Sequence, residues 1–176
     1  MQGVALRVAA LDASGDPRVG ALLDEYAGLL TWRRSGPDGG QAEAIGEGWA
    51  NLGGDVLGWL NADDFLYPGA LKAAEAALQA SGADAVTGDS IFLDGEGRFF
   101  GYHPGVGPPD ARILTSNPIS QPSTFVRRAA VEAAGGIDGR LHYTMDWDLW
   151  VRLFRNGARF VRDGAVLSGV TIEKGT

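Results

Sequence analysis

The 176-residue sequence contains no cysteine, and its longest apolar runs are short. The lack of cysteine excludes disulfides and thiolate metal sites and favours a reducing compartment. No run reaches the roughly 18 apolar residues that a transmembrane helix needs. The opening residues, MQGVALRVAAL, have neither the basic start nor the long apolar stretch of a signal peptide. We therefore expect a cytoplasmic protein with no transmembrane segment.

Positive charge is also scarce, because 15 Lys and Arg residues stand against 22 Asp and Glu residues, for a net charge of −7. This balance argues against nucleic acid as a partner. It leaves room for an anionic small ligand, since a divalent cation can join such a ligand to carboxylates. The composition, 45% hydrophobic and 21% charged, is globular. By its length the chain is predicted to be one domain, residues 1–176.

Short apolar runs alternate with segments of helical periodicity along the first half of the chain. We predict strands at Val4–Leu11 and Asp55–Leu60, and helices at 18–30, at Gln41–Leu52 and after Pro68. In the second half, Asp-Gly at 94–95 predicts a hairpin. A strand running into a helix, a further helix and two terminal strands follow. This order predicts a mixed α/β sheet.

Two adjacent carboxylates, Asp63 and Asp64, lie in the stretch WLNADDFLYPGAL, directly after a predicted buried strand. Ligands of open α/β sheets bind at the carboxyl ends of strands. Carboxylate oxygens there suit Mg²⁺ or Mn²⁺ holding a phosphate. The alternative is an ordinary Asx turn or a helix N-cap, for which a single Asp would suffice. The doublet favours a metal and phosphate site.

Four stretches in the same order resemble glycosyltransferase family 2. These are GPDGGQAEAIGEGWANLGGDVLGWL, WLNADDFLYPGAL, ISQPSTFVRRAAVEAAGGID and LHYTMDWDLWVRLFRNGARF. The resemblance implies a GT-A-like, Rossmann-related mixed sheet flanked by helices. It also implies a nucleotide-diphosphate-sugar donor, Mn²⁺ or Mg²⁺, and inversion at the anomeric carbon. The acceptor, whether glycan, lipid or small molecule, is not indicated.

The resemblance also implies roles for individual residues. Asp64 matches the metal ligand and Asp63 a donor-binding position, while Asp146 matches the catalytic base. Further donor contacts are implied at the positions Asp12, Gln41, Gln121 and Arg128. Plainer readings stay open for several of them: a turn at Asp16-Pro17 near Asp12, first-turn helix polarity for Gln41 and Asp146, and surface solvation for at least one of Arg127 and Arg128.

The sequence departs from the family pattern at both ends. No counterpart of the family's first strand and helix precedes Val4, so we expect an N-terminally truncated fold with an unpaired sheet edge. A homo-oligomer is one way to cover that edge. The final stretch, SGVTIEKGT, lacks the family's R-x-H-like element. Two alternatives therefore stay open: a non-catalytic relative that binds sugar nucleotide or a protein partner, and a metal-dependent nucleotidyltransferase.

Overall fold

The computed structural model describes residues 3–172, so the last four residues of SGVTIEKGT lie outside the description. The described chain forms eight strands and five α-helices. The strands are β1 Ala9–Asp12, β2 Trp32–Ser35, β3 Val56–Leu57, β4 Phe65–Leu66, β5 Ala85–Asp94, β6 Phe99–His103, β7 Thr124–Arg127 and β8 Phe160–Ile172. The helices are α1 Pro17–Glu25, α2 Gln41–Asn51, α3 Ala70–Ser81, α4 Arg128–Ala133 and α5 Met145–Arg155.

These strands form two sheets. Strands β1 and β2 pair in parallel as a small sheet of their own. The larger sheet has the order β3-β7-β5-β8-β4, and β6 pairs with β5 as a hairpin. Only the β5 and β8 pairing in the larger sheet is parallel. The predicted mixed α/β class is therefore confirmed.

Helices cover both faces of the larger sheet. Ala85 and Val86 are adjacent in β5 and fully buried, and alternation sends their side chains to opposite faces. Ala85 belongs to a core that includes Trp150 and Leu153 of α5 together with residues of α2 and α4. Val86 belongs to a second core, built with Leu78 and other residues of α3. Since helices occupy both faces of the sheet, the ends of the strands are the places where a ligand-binding site can form.

Strand β2 was not predicted. Its sequence, WRRS, contains two consecutive arginines, which hide the alternation of a strand. In the structure Trp32 and Arg34 are partly buried while Arg33 and Ser35 are exposed, and all four residues pair with β1. Burial of only one face therefore produced a pattern without an apolar run.

The other differences concern strand length. The predicted strand Asp55–Leu60 keeps only Val56–Leu57 in the sheet. The two predicted terminal strands form one continuous strand, β8, of 13 residues. Its pairing with β5 shifts register next to Gly88, where a Cβ would lie 2.3 Å from the Leu167 side chain. The close approach requires glycine and accommodates the irregularity.

Five strands have a single partner each within residues 3–172. Strands β1 and β2 pair only with each other, β3 only with β7, β4 only with β8 and β6 only with β5. The expected unpaired edge is thus present in this part of the chain, and its cover by a second copy stays a prediction. No helix in the same residues is long and apolar enough to cross a membrane.

Candidate functional site

The acidic loop, residues 59–64, connects β3 to β4 and carries both adjacent aspartates. Its turn is closed by the Asp64 amide, which donates to the Asn61 carbonyl over 3.1 Å. Directly after the turn, Phe65 and Leu66 pair with Gly169 and Ser168 of β8. Asp63 is exposed, whereas Asp64 is partly buried. The loop therefore presents one carboxylate to solvent and holds the other against the end of the sheet.

A short relay of polar contacts orients Asp64. The Thr171 amide of β8 donates to Asp64 Oδ1 over 3.3 Å. The Asn61 side chain also hydrogen-bonds to the Asp64 carboxylate. Gln41 Nε2, in the first turn of α2, donates to Asn61 Oδ1 over 2.5 Å and so fixes the direction of that amide. Gln41, Asn61 and Asp64 thus form one connected group.

Burial raises the pKa of Asp64 above its usual range, and the negative charge of Asp63 adds to this effect. The hydrogen bonds from Thr171 and Asn61 oppose the rise without cancelling it. Among the ion pairs of residues 3–172, none involves Asp63 or Asp64. Two neighbouring carboxylates without a counter-charge in this region are the electrostatic setting that a divalent cation stabilises.

The carboxylate oxygens of Asp63 and Asp64 fit a metal ion whose remaining ligands are water and substrate oxygens. No group of three or more His, Cys, Asp or Glu side chains in the described chain is arranged to hold an ion. A closed protein cage is therefore not built by these residues. One or two carboxylates, with water and substrate phosphates completing the shell, are the usual way that proteins hold Mg²⁺. Asp63 and Asp64 match that arrangement.

Gln121 supports the start of the acidic loop. Its Nε2 donates to the Trp59 carbonyl over 2.7 Å, so the side chain holds the loop backbone where it leaves β3. The Trp59 ring lies between two other tryptophans, edge-on to Trp49 at 5.5 Å and stacked on Trp150 at 5.8 Å. This aromatic stack ties the loop to α2 and α5.

Asp146 lies in the first turn of α5, four residues before Trp150, and therefore on the same helix face. Since Trp150 stacks on Trp59, that face is turned towards the acidic loop. Asn117 Nδ2 donates to Asp146 Oδ2 over 2.8 Å and fixes the carboxylate. Asp148, by contrast, forms an ion pair with Arg152 at 2.6 Å. Asp148 is therefore engaged within its own helix, whereas the role of Asp146 as the catalytic base stays a prediction.

Asp12 ends β1 and is held locally. Ser14 donates to Asp12 Oδ1 from its hydroxyl over 2.6 Å and from its amide over 2.9 Å. These hydrogen bonds lower the pKa of Asp12. No hydrogen bond within residues 3–172 joins this carboxylate to the acidic loop. A donor contact at Asp12 stays a prediction.

Arg128 is not brought to the acidic loop. Its guanidinium donates to three carbonyls at the end of α2 and the segment that follows, those of Trp49 (3.2 Å), Leu52 (2.6 Å) and Gly54 (2.8 Å). These acceptors precede β3, whereas the acidic loop follows it. Arg128 therefore satisfies helix-terminal carbonyls that would otherwise lack donors. This structural role of Arg128 was not predicted from the sequence.

Three supporting residues had no sequence signal. Arg34 of the unpredicted β2 pairs with Asp38 at 2.9 Å, and Asp38 Oδ1 accepts the Gly40 amide at 3.0 Å, which sets the start of α2 and hence Gln41. Gly40 has φ 118°, a conformation that favours glycine. Asn117 and Thr171 contact Asp146 and Asp64 from distant parts of the chain. Their roles depend on tertiary contacts and not on a local pattern.

Comparison with known proteins agrees with this geometry. The model of the family described as "Glycosyl transferase family 2" matches residues 8–134. S. aureus TarS 1-349 in complex with UDP is similar in fold, with a TM-score of 0.74 and 16% sequence identity over 94% of this chain and 51% of that chain. The same protein in complex with UDP-GlcNAc gives a TM-score of 0.75 and 16% identity, covering 97% of this chain and 50% of that one. No curated protein matches the sequence.

The mixed sheet with an acidic loop at a strand end defines a GT-A-like fold, as predicted. Because the family match covers more than half of the sequence, the chain belongs to glycosyltransferase family 2. It spans about half the length of the TarS 1-349 structures that it resembles.

Because the pKa of Asp64 is raised, we expect the ionised Asp64 carboxylate to lower the free energy of unfolding of the metal-free protein, by an amount that depends on pH. The folded state holds the Asp64 proton more tightly than the unfolded chain, where the pKa is about 3.9. Asp64 therefore favours folding below about pH 3.9, and this contribution is lost as the pH rises through the higher folded value. Asp64→Asn should be more stable than wild type at pH 7, and this advantage should shrink in acid. Urea unfolding in EDTA across this pH range measures it.

Asp94→Asn provides a control of opposite sign, because hydrogen bonds from Arg98 lower the pKa of Asp94. That variant should be less stable than wild type above about pH 3.9, and this deficit should shrink as the pH falls through the lowered folded pKa of Asp94. An Asp64→Asn variant with the same stability difference at pH 7 and in acid would contradict the electrostatic account of Asp64.

Proposed function

We propose that the protein binds a nucleotide-diphosphate-sugar, with UDP as the nucleotide, through Mn²⁺ or Mg²⁺ held at the acidic loop, and transfers the sugar to an acceptor hydroxyl with inversion. Membership of glycosyltransferase family 2 supports this class of reaction. The choice of UDP rests on the fold likeness to S. aureus TarS, whose structures contain UDP or UDP-GlcNAc. The observation that carries the proposal is Asp64, partly buried beside Asp63 and fixed by Asn61 and Thr171.

On the donor side, Asp64 with Asp63 would hold the metal. When bound, the metal would act as a Lewis acid that stabilises negative charge on the departing diphosphate. Gln41 and Gln121 support the acidic loop from two sides, at Asn61 and at the Trp59 carbonyl. Direct contacts of these two residues and of Asp12 with the donor stay predictions. Arg128 is omitted because its guanidinium is engaged by carbonyls after α2.

On the acceptor side, Asp146 is the proposed general base. The acceptor oxygen attacks the anomeric carbon, the bond from that carbon to the diphosphate oxygen breaks, and the hydroxyl proton moves to the Asp146 carboxylate. Asn117 donates to Asp146 Oδ2 at 2.8 Å and would hold the other oxygen ready to accept the proton. A single displacement from the face opposite the leaving group gives inversion.

The identity of the acceptor stays open among glycans, lipids and small molecules. A cytoplasmic location and a homo-oligomer that covers the free edge of β1 or β3 remain expectations. The specific observation of an Asn117-oriented carboxylate at the start of α5 favours catalysis over a non-catalytic binding role.

The donor site is tested by calorimetric titration of UDP in the presence of Mn²⁺. The wild type should bind UDP only with the metal, and Asp64→Asn should weaken binding at least about tenfold, which corresponds to roughly 1.4 kcal/mol. Glu75→Gln, which neutralises an exposed carboxylate of α3, is the charge-matched control and should bind as the wild type does. Metal-independent binding, or equal binding by Asp64→Asn, would contradict the proposed donor site.

The role of Asp146 is tested by turnover of UDP-GlcNAc, with water or an added glycan as acceptor. Asp146→Asn should lower turnover by about 10²-fold or more, the usual contribution of a general base, while UDP affinity is retained. Asp148→Asn removes a carboxylate two residues away that pairs with Arg152, and it should keep turnover. Turnover that survives in Asp146→Asn would exclude this residue as the base. Binding without turnover in the wild type would favour the non-catalytic alternative.

A further inference from the structure

Four serine side chains meet in the interior beside the candidate site, in a group that the proposed reaction does not use. This serine cluster consists of Ser90 of β5, Ser120 and Ser123 of the segment before β7, and Ser168 of β8. Ser90, Ser123 and Ser168 are fully buried and Ser120 is 8% exposed. The cluster therefore joins three separate segments of chain through hydroxyl groups alone.

The hydroxyls make five short contacts. Ser90 Oγ lies 2.6 Å from Ser120 Oγ, 2.8 Å from Ser123 Oγ and 2.9 Å from Ser168 Oγ; Ser123 Oγ lies 2.7 Å from Ser168 Oγ and donates to the Asp89 carbonyl over 2.8 Å. Each hydroxyl carries one proton, so four of the five contacts can be hydrogen bonds at once. One consistent order runs from Ser120 through Ser90 and Ser168 to Ser123 and ends at the Asp89 carbonyl.

Hydrophobic packing alone does not explain why four hydroxyl groups are buried together. Alanine would fill nearly the same volume with no polar group to desolvate, whereas each buried hydroxyl must find a partner. A connected chain of hydrogen bonds, unlike apolar contacts, has directional geometry. The cluster therefore fixes the relative positions of β5, β8 and the 120–123 segment more narrowly than apolar packing would.

Both of the segments that the cluster fixes to β5 hold the acidic loop. Gln121, next to Ser120, donates to the Trp59 carbonyl at the start of the loop. Thr171, three residues after Ser168 in β8, donates to Asp64 at its end. The Leu167 carbonyl, beside Ser168, also accepts the Tyr67 amide just beyond β4. The two ends of the acidic loop are therefore attached to segments that the serine cluster joins.

We propose that the serine cluster, with Ser123 at its centre, positions the acidic loop for metal and diphosphate binding. Ser123 contacts Ser90, Ser168 and the Asp89 carbonyl, so its loss removes the hydroxyl contacts of the 120–123 segment with β8 and leaves only the Ser120 contact with Ser90 of β5. Ser123 touches no substrate and acts through Gln121 and Thr171. Only the measurement of UDP affinity makes this inference rest on the proposed function. The position of the acidic loop can be measured without ligand.

The test compares Ser123→Ala with Thr87→Val. Thr87 is also a fully buried hydroxyl of β5, and it donates to the Val106 carbonyl over 2.6 Å, away from the acidic loop. Each substitution removes one buried hydroxyl, and unfolding experiments give the stability lost by each. Two further quantities are measured where both variants are fully folded: hydrogen exchange of the Thr171 amide, and the affinity for UDP with Mn²⁺.

Ser123→Ala should speed exchange of the Thr171 amide about tenfold and weaken Mn²⁺-dependent UDP binding about tenfold, the lower end of the loss expected when an outer-shell partner of a metal site is removed. Thr87→Val should change neither quantity, whatever its stability.

Equal effects in the two variants, or no effect of Ser123→Ala on exchange, would overturn the positioning role. If the wild type binds no UDP, the proposed function fails while the exchange comparison still decides this inference. Should Ser123→Ala not fold, Ser120→Ala removes the terminal hydroxyl and is judged by the same two outcomes.

Discussion

The candidate site depends on a carboxylate that is held partly out of water without a counter-charge among the described residues. Asp64 keeps this position because the Thr171 amide and the Asn61 side chain hydrogen-bond to it. Gln41 in turn fixes Asn61. The arrangement is electrostatically unfavourable for the isolated chain, since burial and Asp63 both raise the pKa of Asp64. A divalent cation would reverse that balance, because its positive charge favours the ionised form of Asp64. The same electrostatics therefore explains both the raised pKa of Asp64 and the proposed metal site.

Rigid surroundings are the physical condition for keeping such a group in place. The acidic loop is short, and its neighbours hold it at both ends: Gln121 at the Trp59 carbonyl and β8 at Asp64 and Phe65. The Trp59 ring is fixed by stacking on Trp150. The same stack relates the loop to α5, the helix that begins with Asp146. The proposed metal-binding loop and the helix that carries the proposed general base are therefore linked through one aromatic contact.

Sequence reasoning named the candidate carboxylates and two residues that support the acidic loop, Gln41 and Gln121, but it did not predict the other supporting residues. Asp63, Asp64 and Asp146 lie in motifs, and their elements follow from periodicity and turn residues. Thr171 contacts Asp64 from 107 residues away, and no local pattern announces such a pair. Strand β2 was hidden because only one of its faces is buried. The hydrogen bonds of Arg128 to the carbonyls at the end of α2 were not predicted either, because they depend on tertiary contacts.

The most direct test of the central claim is to locate the metal. Mn²⁺ added to isotopically labelled protein broadens the amide signals of nearby residues, most strongly for those closest to the ion. We expect the amides of Asp63, Asp64 and Thr171 to broaden first, and Asp64→Asn to abolish this broadening at the same Mn²⁺ concentration. Selective broadening centred on another part of the chain, or broadening of the loop that persists in Asp64→Asn, would contradict the assignment of the metal site to Asp64.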